Sequence, residues 1–182
     1  MPLTPFHLGP ALAVKAAARR HFSLRIFALA QIFIDLESAR GVFLHTYPLH
    51  GPLHSFIGAT LAGLLAAALG RHLFNALNSP LRTFLRHVEG MPAWLVEEVV
   101  PITWTAAIIG GAVGGISHVL LDAIIHPDVS PFWPFSSSNP ILTDGSFYLM
   151  HYACALLGLV GAMVWLALAR RTPHGSSQSP RD

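Results

Sequence analysis

The stretch from Val99 to Ile125 reads VVPITWTAAIIGGAVGGISHVLLDAII, with Asp122 as its one formally charged residue. A helix crossing a bilayer needs about 20 mostly apolar residues, and this run supplies them. Phe147 to Ala169 meets the same length. Leu53 to Leu69 is slightly short but continues weakly to Leu77. Phe22 to Glu37 is shorter and ends in Asp35 and Glu37, and Pro2 to Ala18 is apolar but interrupted by Pro5 and Pro10. These five segments, about 2–18, 22–37, 53–77, 99–125 and 147–169, predict an all-α polytopic membrane helical bundle. It has four to five transmembrane or half-membrane helices in a single domain over residues 1–171. The tail 172–182 is polar, with Pro, Gly and Ser, and reads as disordered.

Composition agrees. Of 182 residues, 53% are hydrophobic and 11% charged, against about 25% charged in an average soluble domain. The net charge of +2 is too small for a nucleic-acid binder. The lone Cys154 excludes a disulfide framework and any paired-cysteine zinc motif. Eleven histidines outnumber the nine acids, and that excess needs a reason.

Basic residues orient the segments. Lys15, Arg19, Arg20 and Arg25 separate the first two. Arg71, Arg82 and Arg86 follow the third, and Arg170, Arg171 and Arg181 follow the last. If the segments alternate, ten of the eleven basic residues share one side, with Arg40 the exception. The positive-inside rule makes that side cytoplasmic, and with it the C-terminus. No basic residue precedes the first apolar run, so it is not a signal peptide. Its order favours an outward N-terminus, whether 2–18 crosses, lies in the interface or re-enters. Between Pro80 and Val100 apolar and charged residues interleave, as in an amphipathic cytoplasmic segment or an ordinary loop.

Ionisable groups inside membrane segments are expensive and usually functional. His118, Asp122 and His126 are spaced four and four, so they form one stripe on an apolar helix. His with a carboxylate at i+4 suits a divalent ion, Zn²⁺ or Mn²⁺. The alternative reading is a buried His–Asp hydrogen bond that fixes helix packing. Upstream, Gly110, Gly111, Gly114 and Gly115 let a neighbouring helix come close. Gln31 and Asp35 lie one turn apart on one face. Asp35 and Glu37 either want a cation or mark the helix end in water. His50 and His54 flank Pro52, a residue suited to a helix's first turn, and serve one site or a loop surface. His7 begins the first apolar segment. In the alternating topology these residues, with His151, fall on the outer side. His21, His72, His87 and His174 fall on the basic side. The loop Val129–Ser136, with Phe132, Trp133, Pro134 and Phe135, either covers such a site or anchors the chain in the interface.

The motifs His7-x-Gly9, Asp35, His50-Gly-Pro-Leu-His54, Ser117-His118-x-x-x-Asp122 and Trp133-Pro134-Phe135 together span roughly Pro5 to Ser136. In these the sequence resembles the YdjM-like family of bacterial inner-membrane proteins, described as membrane-bound metal-dependent hydrolases. It departs from that pattern at Gly51, where relatives often carry Arg, and at Ile34-Asp35-Leu36-Glu37, where they often carry Pro-Asp-x-Asp. The ligand order also looks like that of helical zinc phosphodiesterases such as zinc-dependent phospholipase C.

The resemblance implies a bacterial inner-membrane hydrolase with its site near the outer face. His7, Asp35, His54, His118 and Asp122 would hold one or two divalent ions, zinc or manganese. His50, Glu37 or His126 would act as general base or orient the ligands. A phosphoester or lipid-like substrate follows from a site at the bilayer surface, with water activated by metal as nucleophile. No G-x-S-x-G elbow is present for serine chemistry. The alternatives are a metal or proton transporter using the same cluster, or a non-catalytic membrane protein whose His–Asp pairs lock helices.

Overall fold

The computed structural model describes residues 5–92, 96, 99–143, 145 and 147–171. Among the described residues there are five α-helices: α1 (Gly9–Ala18), α2 (Leu24–Leu44), α3 (Phe56–His87), α4 (Trp104–Ile125) and α5 (Phe147–Arg171). Short 3₁₀ turns occupy Pro5–Leu8, Arg19–His21 and Pro52–His54, and no strand occurs among the described residues. The all-α architecture is as expected. Helices α3, α4 and α5 are long and apolar enough to cross a membrane. The polar tail 172–182 lies outside the described residues.

Local chemistry sets the helix starts. Ser23, Ser55 and Thr103 each cap a helix by accepting a backbone N–H three residues on, from Ile26, Gly58 and Ala106. Pro10 opens α1, where its missing N–H costs nothing.

Helix α4 is the central element. Its glycines point in two directions. A Cβ on Gly111 or Gly115 would run into the carbonyls of Gly63 and Ala59 on α3. A Cβ on Gly110 or Gly114 would press on Ser23 and on Phe27 and Ala30 of α2. Backbones therefore approach closely on both sides. Gln31 spans the second gap by donating to the Gly114 carbonyl, 3.1 Å. Between α2, α3 and α4 lies a small apolar core of Ile26, Ala30, Ala66, Ala67, Ile102, Ala106 and Ala107. Helix α1 packs along α5, with Gly9 against the Cys154 carbonyl and Gly161 against the Leu12–Ala13 backbone.

Three boundaries differ from those read in the sequence. Asp35 and Glu37 do not end α2, which runs on to Leu44 and closes on His45 in the left-handed conformation. Pro52 opens only a 3₁₀ turn, and α3 begins after the Ser55 cap. Helix α3 also continues past Leu77, through Pro80, to His87, so the first part of the supposed amphipathic segment is helix. The reason is a polar clamp. Asn75 Oδ1 accepts the Ile102 N–H (2.7 Å) while its amide donates to the Ile102 carbonyl (3.1 Å). Asn78 donates to the Val100 carbonyl (2.8 Å). The lead-in to α4 is thus tied to this end of α3, which holds the helix in register beyond its apolar stretch.

Candidate metal centre

The i, i+4 row on α4 that begins with Gly110 and Gly114 continues as His118, Asp122 and His126. The small residues bring α2 close, and the next members of the row then face what α2 carries. His118 Nε2 lies 3.5 Å from Asp35 Oδ1 and 3.1 Å from Asp122 Oδ2. Residues His50 to His54, just ahead of α3, add two more imidazoles. His54 Nε2 lies 3.6 Å from Asp122 Oδ2. The turn before α1 adds another, with His7 Nε2 3.4 Å from Asp122 Oδ1. His126 Nε2 stands 3.9 Å from the same oxygen. The five expected ligands, His7, Asp35, His54, His118 and Asp122, are therefore brought together, and all five are buried.

Several of their ligand atoms group within 4.8 Å of one another. His7, His118 and Asp122 form one such set; Asp35, His54 and His118 a second; His50, His54 and Asp122 a third; His50, His126 and Asp128 a fourth. The rings nest closely, with centroids of His50 and His54 4.7 Å apart and those of His7 and His118 4.8 Å apart.

The opposite edge of three rings is fixed. His118 Nδ1 donates to Gln31 Oε1 in a very short contact. His54 Nδ1 donates to Glu37 Oε2 (3.1 Å). His50 Nδ1 donates to Asp128 Oδ1 (2.8 Å). The acceptors are themselves held. Glu37 also accepts the N–H groups of Gly51 (3.0 Å) and Leu53 (3.1 Å). Asp128 Oδ2 accepts the Leu49 N–H (3.1 Å). A Cβ at position 51 would lie 2.7 Å from Glu37 Oε1, so glycine there is what admits the carboxylate. With Nδ1 protonated, each Nε2 carries a lone pair, and the Ser38 hydroxyl donates to that of His54 (3.3 Å). This is the pattern of metal-ligating histidines, whose other nitrogen is bound by a carboxylate, carbonyl or amide.

Two buried imidazole nitrogens, His7 Nδ1 and His118 Nε2, find no hydrogen-bond partner among the described residues. With its proton on Nδ1, His118 Nε2 has none to give to Asp122 Oδ2, 3.1 Å away. An orphaned buried nitrogen is costly unless something else takes its lone pair. His118 Nε2 faces the two aspartates, where a divalent cation fits, whereas His7 faces Asp122 with its other nitrogen, Nε2.

At the rim, burial pushes the His50 and His126 imidazoles below their ordinary range, so both stay neutral near pH 7. Burial pushes the Asp128 carboxyl up, but the His50 hydrogen bond and charge outweigh it and leave Asp128 below the usual carboxylate range.

Asp128 and Gln31 are participants to which the sequence assigned no role at the site. His151 lies beside the cluster, on Phe6 next to His7, but joins none of its ligand groups: its ring packs on Phe6 and Phe147, and its Nδ1 donates to the Phe147 carbonyl (2.7 Å). The aromatic loop packs on the start of α3, where the Pro131 carbonyl accepts the Phe56 N–H (2.9 Å) and Phe132 meets the Phe56 ring. Phe135 remains 86% exposed. Comparison with protein-family models, with curated proteins and with solved structures finds no match to this chain.

Proposed function

We propose that the chain is a membrane-bound metal-dependent hydrolase of the YdjM-like kind, acting on a phosphoester or lipid-like substrate. His7, Asp35, His54, His118 and Asp122 would hold the divalent ion, zinc or manganese. The observation that carries this reading is the shared orientation of His50, His54 and His118. Each ring has its Nδ1 fixed by an acceptor, and the Nε2 atoms of His54 and His118 converge on the two buried aspartates.

A bound divalent ion there supplies Lewis acidity and makes a water more acidic. The chain's own groups divide the remaining work. Glu37 has its oxygens occupied by N–H donors, so it orients His54 rather than taking a proton. His50 and His126, neutral at the rim, are placed to accept a proton from an attacking water. Gln31 and Asp128 hold His118 and His50 in the required tautomers. The exposed aromatics Phe132, Trp133 and Phe135 beside the site favour a substrate with an apolar portion. The clustering of basic residues supports a multi-pass inner-membrane protein with a cytoplasmic C-terminus and this site near the outer face.

A transporter would need polar groups continuing through the bundle. The interior between α2, α3 and α4 beyond the cluster is instead apolar, built of residues such as Ile26, Ala30 and Ala66. The test is metal analysis of detergent-purified protein beside His118→Ala and Asp122→Ala, with phosphodiester and lipid hydrolysis assayed on the same samples. Stoichiometric zinc or manganese, lost together with hydrolysis in both variants, is the expected result. Metal-free wild-type protein would sink the reading. Metal-loaded protein that moves metal across vesicles without hydrolysing anything would favour the transporter.

A further inference from the structure

A cavity of about 350 Å³ opens where the N-terminal ends of α2 and α4 meet, at Ser23 and Thr103. Each of the five helices contributes to its lining: Lys15 from α1, Arg25 from α2, Leu81 and Leu85 from α3, Ala106 from α4 and Trp165 from α5. Most of the wall is apolar. Its charges are all positive, because Lys15, Arg20 and Arg25 line the cavity and no carboxylate does so among the described residues. Asp122 is sixteen residues further along α4 than Ala106, about 24 Å at 1.5 Å per residue. A molecule held here therefore touches none of the metal-centre residues, and the site stands apart from that reading. We infer that this cavity holds one anionic phospholipid, its phosphate among Lys15, Arg20 and Arg25 and an acyl chain along the wall of Leu81, Leu85 and Trp165.

Three arguments favour that occupant. The first is charge together with apolar surface. A small inorganic anion would use the cations and leave the wall bare, and an uncharged lipid would do the reverse. A phospholipid of net negative charge uses both. Arg25 donates to Asn78 Oδ1 and to the Val100 carbonyl (3.2 Å), and Lys15 donates to the Arg19 carbonyl (3.2 Å). These acceptors are neutral, so they position both cations without cancelling their charge. The second argument is depth. The cavity lies at one end of helices long and apolar enough to cross a membrane, which is headgroup level. Basic pockets between transmembrane helices at that level take anionic headgroups. The third is size and opening. The volume is at the lower end for small-molecule sites, too small for a helix about 10 Å across. Leu81 and its neighbour Phe84 are exposed, so the apolar wall runs out onto the surface of α3, where a chain can leave towards the bilayer.

The consequence is structural. Helix α5 packs along α1, while α2, α3 and α4 share the small apolar core. A lipid touching all five helices joins the α1–α5 pair to that core at the basic end. Because it binds the folded bundle and not the unfolded chain, it raises stability.

The experiment is native mass spectrometry and thermal melting of the full chain in neutral detergent. The probes are phosphatidylglycerol, phosphatidylcholine and inorganic phosphate. Wild type is expected to retain one phosphatidylglycerol per chain, to bind phosphatidylcholine at least about tenfold more weakly, and to melt higher with phosphatidylglycerol alone. Arg20→Gln, an exposed position, should weaken phosphatidylglycerol about fivefold, the loss of one cation near a headgroup. Leu85→Trp, which fills the cavity, should abolish retention. Arg86→Gln, exposed on the same end of α3 but outside the lining, should change nothing. Equal retention of the two lipids would mean that the chain's own acids, such as Glu97 or Glu98 just ahead of Val99, satisfy the cations, and it overturns the site. Inorganic phosphate that binds as well as the lipid overturns the lipid as occupant. Arg86→Gln weakening binding as much as Arg20→Gln overturns the cavity in favour of diffuse surface charge. No lipid retained by wild type overturns the proposal outright. The wild-type comparison of lipids decides the matter even if Leu85→Trp fails to fold, and none of these outcomes bears on the metal centre.

Discussion

A histidine that must ligate through Nε2 has to be told which nitrogen keeps its proton, and at His118, His54 and His50 that instruction comes from Gln31, Glu37 and Asp128. These acceptors touch no ion in the assignment above, so their removal separates orientation from ligation. Gln31→Leu and Glu37→Gln are each expected to weaken metal affinity by about 10- to 100-fold with the fold retained, the range typical for partners of metal-bound imidazoles. Competition against a chromophoric chelator measures this. Affinity unchanged in both would mean that the rings are held by packing alone. In the sequence Gln31 was visible as Asp35's neighbour on one helix face. Its role was not, because the ring that it serves is 87 residues away. Asp128 follows His126 by two positions, yet reaches back 78 residues to His50. Spacing along one helix exposes the His118–Asp122 pair. It says nothing about a partner delivered by a loop.

Helices carry these residues to one another, and the glycines of α4 set how closely. Gly115 lies three residues before His118 and meets the Ala59 carbonyl of α3, so an added methyl group there presses on backbone rather than on a movable side chain. Gly115→Ala is expected to destabilise the bundle by about 1–3 kcal/mol, as overpacked cores do. In a thermal melt followed by helical circular dichroism, that lowers Tm by roughly 2–12 °C. Leu120→Ala, on the same helix but 43% exposed, should shift Tm little. Equal shifts would mean that the close crossing of α3 and α4 is not what holds them. The crossing was legible as paired GxxxG spacing, and the apolar runs placed α4 and α5 well. The ends of α2 and α3 were not legible. Past Glu37, α2 continues because the Glu37 carboxylate faces Gly51, Leu53 and His54, and the Asp35 carboxylate faces His118, rather than water. Past Leu77, α3 continues because Asn75 and Asn78 bind the Val100–Ile102 backbone. Both are tertiary contacts that hydropathy does not record.

Along α4 the cluster and the basic residues Arg19, Arg20, Arg25 and Arg71 lie at opposite ends. Ser23, next to the basic turn Arg19–His21, donates its N–H to the Ala106 carbonyl (3.1 Å), and Arg25 reaches Asn78 and the Val100 carbonyl. Arg71 stacks over Trp104 at the start of α4. Asp122 is sixteen residues further along α4 than Ala106, about 24 Å at 1.5 Å per residue. His7 meets Asp122, and Arg19 and Arg20 lead into Ser23, so the N-terminal segment runs the same distance from the cluster end to the basic end. It does so with only ten residues of α-helix between 3₁₀ turns. The sequence left open whether this segment crosses, and the His7–Asp122 contact argues for a path between the two ends. If the basic end is cytoplasmic, the first residues and the loop after α4 must both face outward. Alkaline phosphatase needs an oxidising compartment to form its disulfides. Fused after Gly145 in a bacterial host it should therefore be active, and fused after Asp182 inactive, with a fluorescent-protein fusion giving the reverse. The opposite pattern would turn the cluster toward the cytosol. It would overturn the outward-facing site while leaving the ligand geometry untouched, because the contacts around Asp122 do not depend on which leaflet they face.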